Sequence, residues 1–199
     1  KSDSSEPIPD IQLLFVAAPF GAGPWLPPFK AGFVDGFATR MVVLRPESRG
    51  SVGLASADPA RPPHIHQSLL ATDRDWQRMK TAVRLFRDIA ERPAVRPYIK
   101  AELAPGAQVT SEPALEAYVR GSAITVHHPA GTCRMGPATD DMTVVDGALK
   151  VHGAEGLRVV DASVFPDLVG GNINAAVVMV AEKAADLIRG RTPLPPAAV

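Results

Sequence analysis

Apolar and polar residues along this chain change their spacing from one region to the next, and each change marks a different kind of element. The run Ile11-Gln12-Leu13-Leu14-Phe15-Val16 is short, apolar and preceded by Pro7 and Pro9, which predicts a buried strand. Thr39 to Leu44 predicts a second strand and Ser51 to Leu54 a third, with Pro46-Glu47-Ser48-Arg49-Gly50 as the turn of a hairpin between them. Pro63-His64-Ile65-His66 predicts a fourth, at a sheet edge because of its prolines. Beyond these, the apolar positions Trp76, Met79, Val83, Phe86 and Ala90 recur at helical spacing, so Asp73 to Glu91 predicts an amphipathic helix, with Thr72 or Asp73 as its cap and Pro93 as its stop. A second helix is expected after Ser111, with Leu115, Tyr118 and Val119 on its apolar face. Leu157 to Asp161 predicts a strand, and a last helix is expected from Asn174 to Arg189, with Asn174 as cap. Strands first, then helices, then a strand leading into a helix give an α+β fold, with helices on one side of a mostly antiparallel sheet.

Composition narrows the function classes. In 199 residues, 21 Lys and Arg balance 21 Asp and Glu, which leaves no basic footprint for a nucleic acid. No window approaches the apolar length of a membrane helix, and the polar opening Lys1-Ser2-Asp3-Ser4-Ser5-Glu6 has no signal-peptide pattern; the expectation is a cytoplasmic protein. The sole cysteine, Cys133, excludes a disulfide within the chain. The 20 prolines are about twice ordinary usage and imply many short segments held by fixed loops.

Two stretches hold candidate chemistry. The first is His127-His128-Pro129-Ala130-Gly131-Thr132-Cys133-Arg134-Met135-Gly136. Adjacent histidines point in different directions, so one of them serves a given site, and Pro129 drives His128 toward extended backbone. An imidazole is the natural general base near neutral pH. The second runs from Leu157-Arg158-Val159-Val160-Asp161-Ala162-Ser163 through Gly170-Gly171-Asn172-Ile173-Asn174. It ends at a helix N-terminus, whose free N–H groups and small residues suit an anion or a planar ring. Taken alone, each stretch fits ordinary structure as well as a site.

Together the two stretches resemble the C-terminal signature of the glucose–methanol–choline (GMC) oxidoreductase family. The likeness continues through Val144-Val145-Asp146, Leu149-Lys150-Val151-His152-Gly153, Phe165-Pro166 and Ala181-Glu182-Lys183-Ala184-Ala185-Asp186-Leu187-Ile188, with weaker echoes in Pro9-Asp10-Ile11-Gln12 and Arg45-Pro46-Glu47-Ser48-Arg49-Gly50. The resemblance implies an FAD-dependent enzyme that oxidises an alcohol. His128 would be the catalytic base. Asn172, 44 positions on, would be its partner in place of a second histidine; Asn174 competes for that role, but the loop-to-helix register favours Asn172. Asp161, Ala162, Asn172 and Ile173 would contact the flavin. The family's domains would divide the chain into a substrate-binding part (1–142), a return segment to the FAD domain (143–190) and a tail (191–199).

The same resemblance defines what the chain lacks. The dinucleotide fingerprint Gly-x-Gly-x-x-Gly is absent; the nearest stretch, Gly21-Ala22-Gly23-Pro24-Trp25-Leu26, has leucine in its sixth position and prolines where a helix would begin. The expected partners are therefore a small-molecule alcohol and an N-terminal FAD-binding segment or chain. A hydroxynitrile lyase on the same fold and a non-catalytic remnant module stay open as alternatives. His64-Ile65-His66 offers two imidazoles without an evident third ligand, so no metal site is expected. His127, His152 and Cys133 read as structural, the aromatics from Phe20 to Phe33 as an entrance or simple packing, and the charged face of the Asp73–Glu91 helix as solvated.

Overall fold

The computed structural model describes residues 1–199 except 24, 25, 31, 34, 193, 194 and 196–199. Trp25 and most of the expected tail lie outside the described residues. The rest forms two compact units: Lys1–Glu47 with Leu70–Ala123, and Ser48–Leu69 with Ile124–Val199.

In the first unit, β1 (Ile11–Val16) pairs antiparallel with β2 (Ala38–Val43), Ile11 opposite Val43 and Val16 opposite Ala38. α1 (Asp73–Ala90) packs against both strands. The Thr72 hydroxyl caps α1 by accepting from the Asp75 N–H. α2 (Glu112–Ser122) starts at Ser111, whose hydroxyl accepts from the Ala114 N–H. Val83, Leu115 and Val119 form the buried core, with Met41, Trp76, Met79 and Tyr118 packed around it.

The expected solvated face of α1 forms only in part: Asp73, Arg74, Arg84, Asp88 and Glu91 are exposed, but Arg78 and Asp75 are buried. The Arg78 guanidinium reaches Glu6 at 3.1 Å and Asp10 at 3.3 Å, and donates to the Arg45 carbonyl at 2.8 Å. Asp75 accepts from the Glu47 N–H at 2.9 Å. Charges at helical spacing cannot by themselves distinguish a wet face from a buried network; the carboxylates that draw Arg78 inward come from the distant segment Glu6–Asp10. The same ties correct the expected hairpin. Residues 45–47 are held by α1 side chains rather than turning β2 back, and the Leu44 N–H continues the β1 pairing by donating to the Asp10 carbonyl at 2.9 Å.

In the second unit, β3 (Ser51–Gly53) pairs antiparallel with β4 (His64–His66) as a two-stranded sheet. Gly50 lies so close to the His66 carbonyl that a Cβ there would strike it. Every residue of this hairpin is exposed. The remainder is a web of turns around one helix, α3 (Asn174–Ile188). Val145, Leu149, Val164, Phe165, Ile173, Val180 and Ala184 form its core. Leu157–Asp161, expected as a strand, is extended but bridges its neighbour only at Lys150–Arg158. A ladder needs a partner of equal length, and the turn through Gly153 and Gly156 cuts this one short.

Taken together, the chain is α+β with antiparallel strand pairs. Among the described residues, no helix is long and apolar enough to cross a membrane.

Candidate active site

The His-Pro loop is fixed at both ends by its own backbone. Before it, the Thr125 hydroxyl accepts from the His127 N–H at 3.1 Å, and His127 takes a left-handed conformation with φ 63°. After it, alternate N–H groups register against a short 3-10 turn, Ala162–Val164. Gly131 donates to the Ala162 carbonyl at 3.3 Å, Cys133 to Ser163 at 2.9 Å and Met135 to Val164 at 2.9 Å. Gly131 has φ 84°, a left-handed backbone that favours glycine at this position. Between these anchors stands His128, half-buried, while His127 is exposed.

The loop's far end is tied down as well. The Gly136 N–H donates to the Val145 carbonyl at 3.0 Å, and the His152 Nε2 lies 3.1 Å from the Gly136 carbonyl. Asp146 organises the turn that presents His152. Its carboxylate accepts from the Lys150 and Ala148 N–H groups at 2.9 and 2.8 Å. The Lys150 N–H holds the Asp146 carboxyl below the ordinary range; desolvation opposes it, while the Ala148 N–H and the charges of Lys150 and His152 add to the lowering.

Asp161 is exposed, and its carboxylate accepts from the Ser163 N–H at 2.7 Å, closing the 3-10 turn that receives the loop. The Ser163 hydroxyl is buried without a partner. Ala162 packs against the cluster that buries Ile173, and Asn172 is exposed one residue before Ile173. The unit therefore draws the His128 loop onto Ala162, and Ala162 onto the start of α3. Among the described residues, neither the His128 nor the Asn172 side chain is bonded to another group of the chain.

Asn174 does not cap α3. It is the first helical residue, preceded by Ile173 at φ −77° and ψ −13°, and no side chain caps this end. A capping residue needs extended backbone to turn its side chain toward the helix, and the burial of Ile173 holds the preceding position in helical geometry instead. The first turn also carries no acidic residue.

Sequence reasoning did not find the Thr125–His127 tie or the unpartnered Ser163 hydroxyl. A threonine two residues ahead of a turn was the available signal for the first; nothing in the sequence signalled the second. His64 and His66 are exposed on β4, and among the described residues no cluster of three or more His, Cys, Asp or Glu has metal-binding geometry.

Both the His128 loop and the turn before α3 fall within a match to a known family. The family model described as GMC oxidoreductase covers residues 46–181. Oxygen-dependent choline dehydrogenase 1 of Chromohalobacter salexigens is 48% identical over 164 residues, which are 82% of this chain and 29% of that protein. The solved pyridoxine 4-oxidase from Mesorbium loti superposes with a TM-score of 0.76 at 32% identity, over 93% of this chain and 35% of that one. A fungal aryl-alcohol oxidase superposes with a TM-score of 0.66 at 39% identity, over 76% and 24%. The chain belongs to the GMC oxidoreductase family. It spans less than one third of the length of the curated relatives it matches.

Proposed function

We propose that this chain is the part of an FAD-dependent oxidoreductase that carries the proton-accepting residue, and that the substrate is an alcohol whose CH–OH group becomes an aldehyde or ketone. The observation that supports this reading is the backbone pairing of residues 131, 133 and 135, just after His128, with Ala162–Val164, the turn that comes before α3 in the chain. The similarity to an aryl-alcohol oxidase supports the substrate class.

The residues fit one end of FAD. The α3 N-terminus is free of a side-chain cap and of acidic residues, small residues flank it at Gly170, Gly171, Ala175 and Ala176, and the buried Ser163 hydroxyl lacks a partner. A helix start of this kind favours negative charge. Asp161, Ala162, Asn172 and Ile173 would hold that end. The adenine and phosphates would need an N-terminal segment carrying the glycine fingerprint, which this sequence does not contain. When bound, FAD supplies the acceptor for the hydride leaving the alcohol carbon. His128 accepts the hydroxyl proton, which contributes about 10²–10⁴-fold in rate. Asn172 donates its side-chain N–H to the substrate oxygen and orients the alcohol. In functional terms, residues 1–142 would shape the substrate side and 143–190 would return to the FAD domain.

The test is anaerobic titration of the purified full-length protein with a panel of primary and secondary alcohols, following the flavin absorption bands. Bleaching by an alcohol is the expected result. With Asn172 in place of a second histidine, kcat/KM against pH should show one dominant ionisation. A flavoprotein that no alcohol bleaches but that cleaves cyanohydrins would overturn the reading in favour of a lyase; a colourless, folded protein would remove the flavin altogether.

A further inference from the structure

His127 is a non-glycine residue in the left-handed region, φ 63°, and that conformation disfavours most L-residues. It immediately precedes His128. The Thr125 hydroxyl, accepting from the His127 N–H at 3.1 Å, closes a small turn that holds it there. On the other side of His128 stands Pro129, which disfavours helical backbone at 128. His128 is thus set between two residues that each restrict the chain, and two residues after Pro129 the Gly131 N–H fixes the loop to Ala162. The His127 side chain is exposed, and the hydrogen bond to Thr125 is made through the His127 backbone N–H.

We infer that Thr125 and His127 are positioning residues that act together through the backbone: the hydroxyl-closed turn locks residue 127 in left-handed geometry, and this sets the direction of the His128 imidazole. The inference rests on the proposed role of His128, and it predicts a graded response to substitution. Residue types that tolerate left-handed backbone, glycine and asparagine, preserve the aim of His128. β-Branched residues, for which this region is an outlier, lose it. Removing the Thr125 hydroxyl acts like the β-branched change, and serine in its place restores the function.

The experiment uses the full-length flavoprotein with His127→Val, His127→Gly, Thr125→Ala and Thr125→Ser. Two quantities are read: kcat and KM for a bleaching alcohol, and the rate at which diethyl pyrocarbonate modifies His128 itself, resolved from neighbouring His127 by fragment-ion mass spectrometry. For His127→Val and Thr125→Ala we expect kcat to fall about tenfold or more, equivalent to about 1.4 kcal/mol, with KM changed less than about threefold. The His128 modification rate should change about threefold or more in the same two variants. His127→Gly and Thr125→Ser should stay within about twofold of the parent on both readouts, a small residual expected of non-disruptive changes. Equal losses in His127→Val and His127→Gly would overturn the inference, because the imidazole and not the backbone would then matter. An unchanged His128 modification rate in both His127→Val and Thr125→Ala would overturn it too. If His127→Val does not fold, the Thr125 pair decides. If no alcohol bleaches the parent flavoprotein, the functional reading fails, yet the modification rates still decide whether position 127 aims His128.

Discussion

The two compact units reach stability by different routes. The first unit is regular: a hairpin, two capped helices, and a buried ion network in which Arg78 meets Glu6 and Asp10. The second unit has one helix, an exposed hairpin, and loops that pass backbone hydrogen bonds to one another around a purely apolar core. Regular elements satisfy their own N–H and C=O groups, so their unit can afford buried charge. Loops have to find partners for theirs one by one, and in doing so they bring chain segments far apart in sequence, such as 131–135 and 162–164, into fixed register. The loop-built unit is where His128, Asp161, Ala162, Asn172 and Ile173 all lie. The contrast predicts that substitutions in the second unit alter chemistry and those in the first alter stability.

The widest separation is expected from His128→Ala. In the full-length protein kcat should fall by about 10²–10⁴-fold, while the melting temperature and flavin content stay near the parent values. A comparable loss of melting temperature would erase the contrast. From the other side, Arg78→Ala should destabilise by about 3–5 kcal/mol, because it leaves the buried Asp10 carboxylate without its charge partner, only hydrogen bonds such as those from Ser2 remaining. Urea unfolding measures this, and kcat per folded flavin should hold. Thr72→Ala removes the α1 cap and should cost about 1 kcal/mol, again with no change in turnover.

The subtlest test is acid. Hydrogen bonds from the Arg74 and Arg78 side chains hold the Glu6 carboxyl below its ordinary value, against a smaller desolvation effect. Burial pushes the Asp10 carboxyl up, but the Ser2 hydroxyl and N–H and the charge of Arg78 outweigh it, so Asp10 is lowered too. A carboxyl lowered on folding contributes stability above its unfolded pKa, about 4, and loses that contribution as the pH falls through the folded value. Melting curves should therefore show the first unit weakening below about pH 4, and in Glu6→Gln this dependence should be shallower.

How much of this was legible in the sequence divides along the same line. Periodicity located α1, α2 and β1 closely, because each element is defined by contacts a few residues apart. It could not pair the strands: β2 pairs with β1 and β3 with β4, while residues 45–47 are bonded to side chains of α1. It likewise read Asp75 and Arg78 as solvated with the other charges of α1, since partners of Arg78 lie near the N-terminus. For the site, the motif residues pointed to a shared location; they fall in one compact unit, with 131–135 in backbone register with 162–164. The roles of His128 and Asn172 await the experiments above. What stayed hidden was the device that aims the loop, because a left-handed φ at a histidine leaves no trace in composition or spacing.

The hairpin of β3 and β4 has a practical consequence. Its three residue pairs have neither side covered, and so small a sheet holds its amide protons weakly. In deuterated water these amides will exchange among the earliest of the chain's regular structure. The segment is thus an isotopic clock: whatever comes to cover it, a neighbouring segment or another molecule, will be timed by how far its exchange slows.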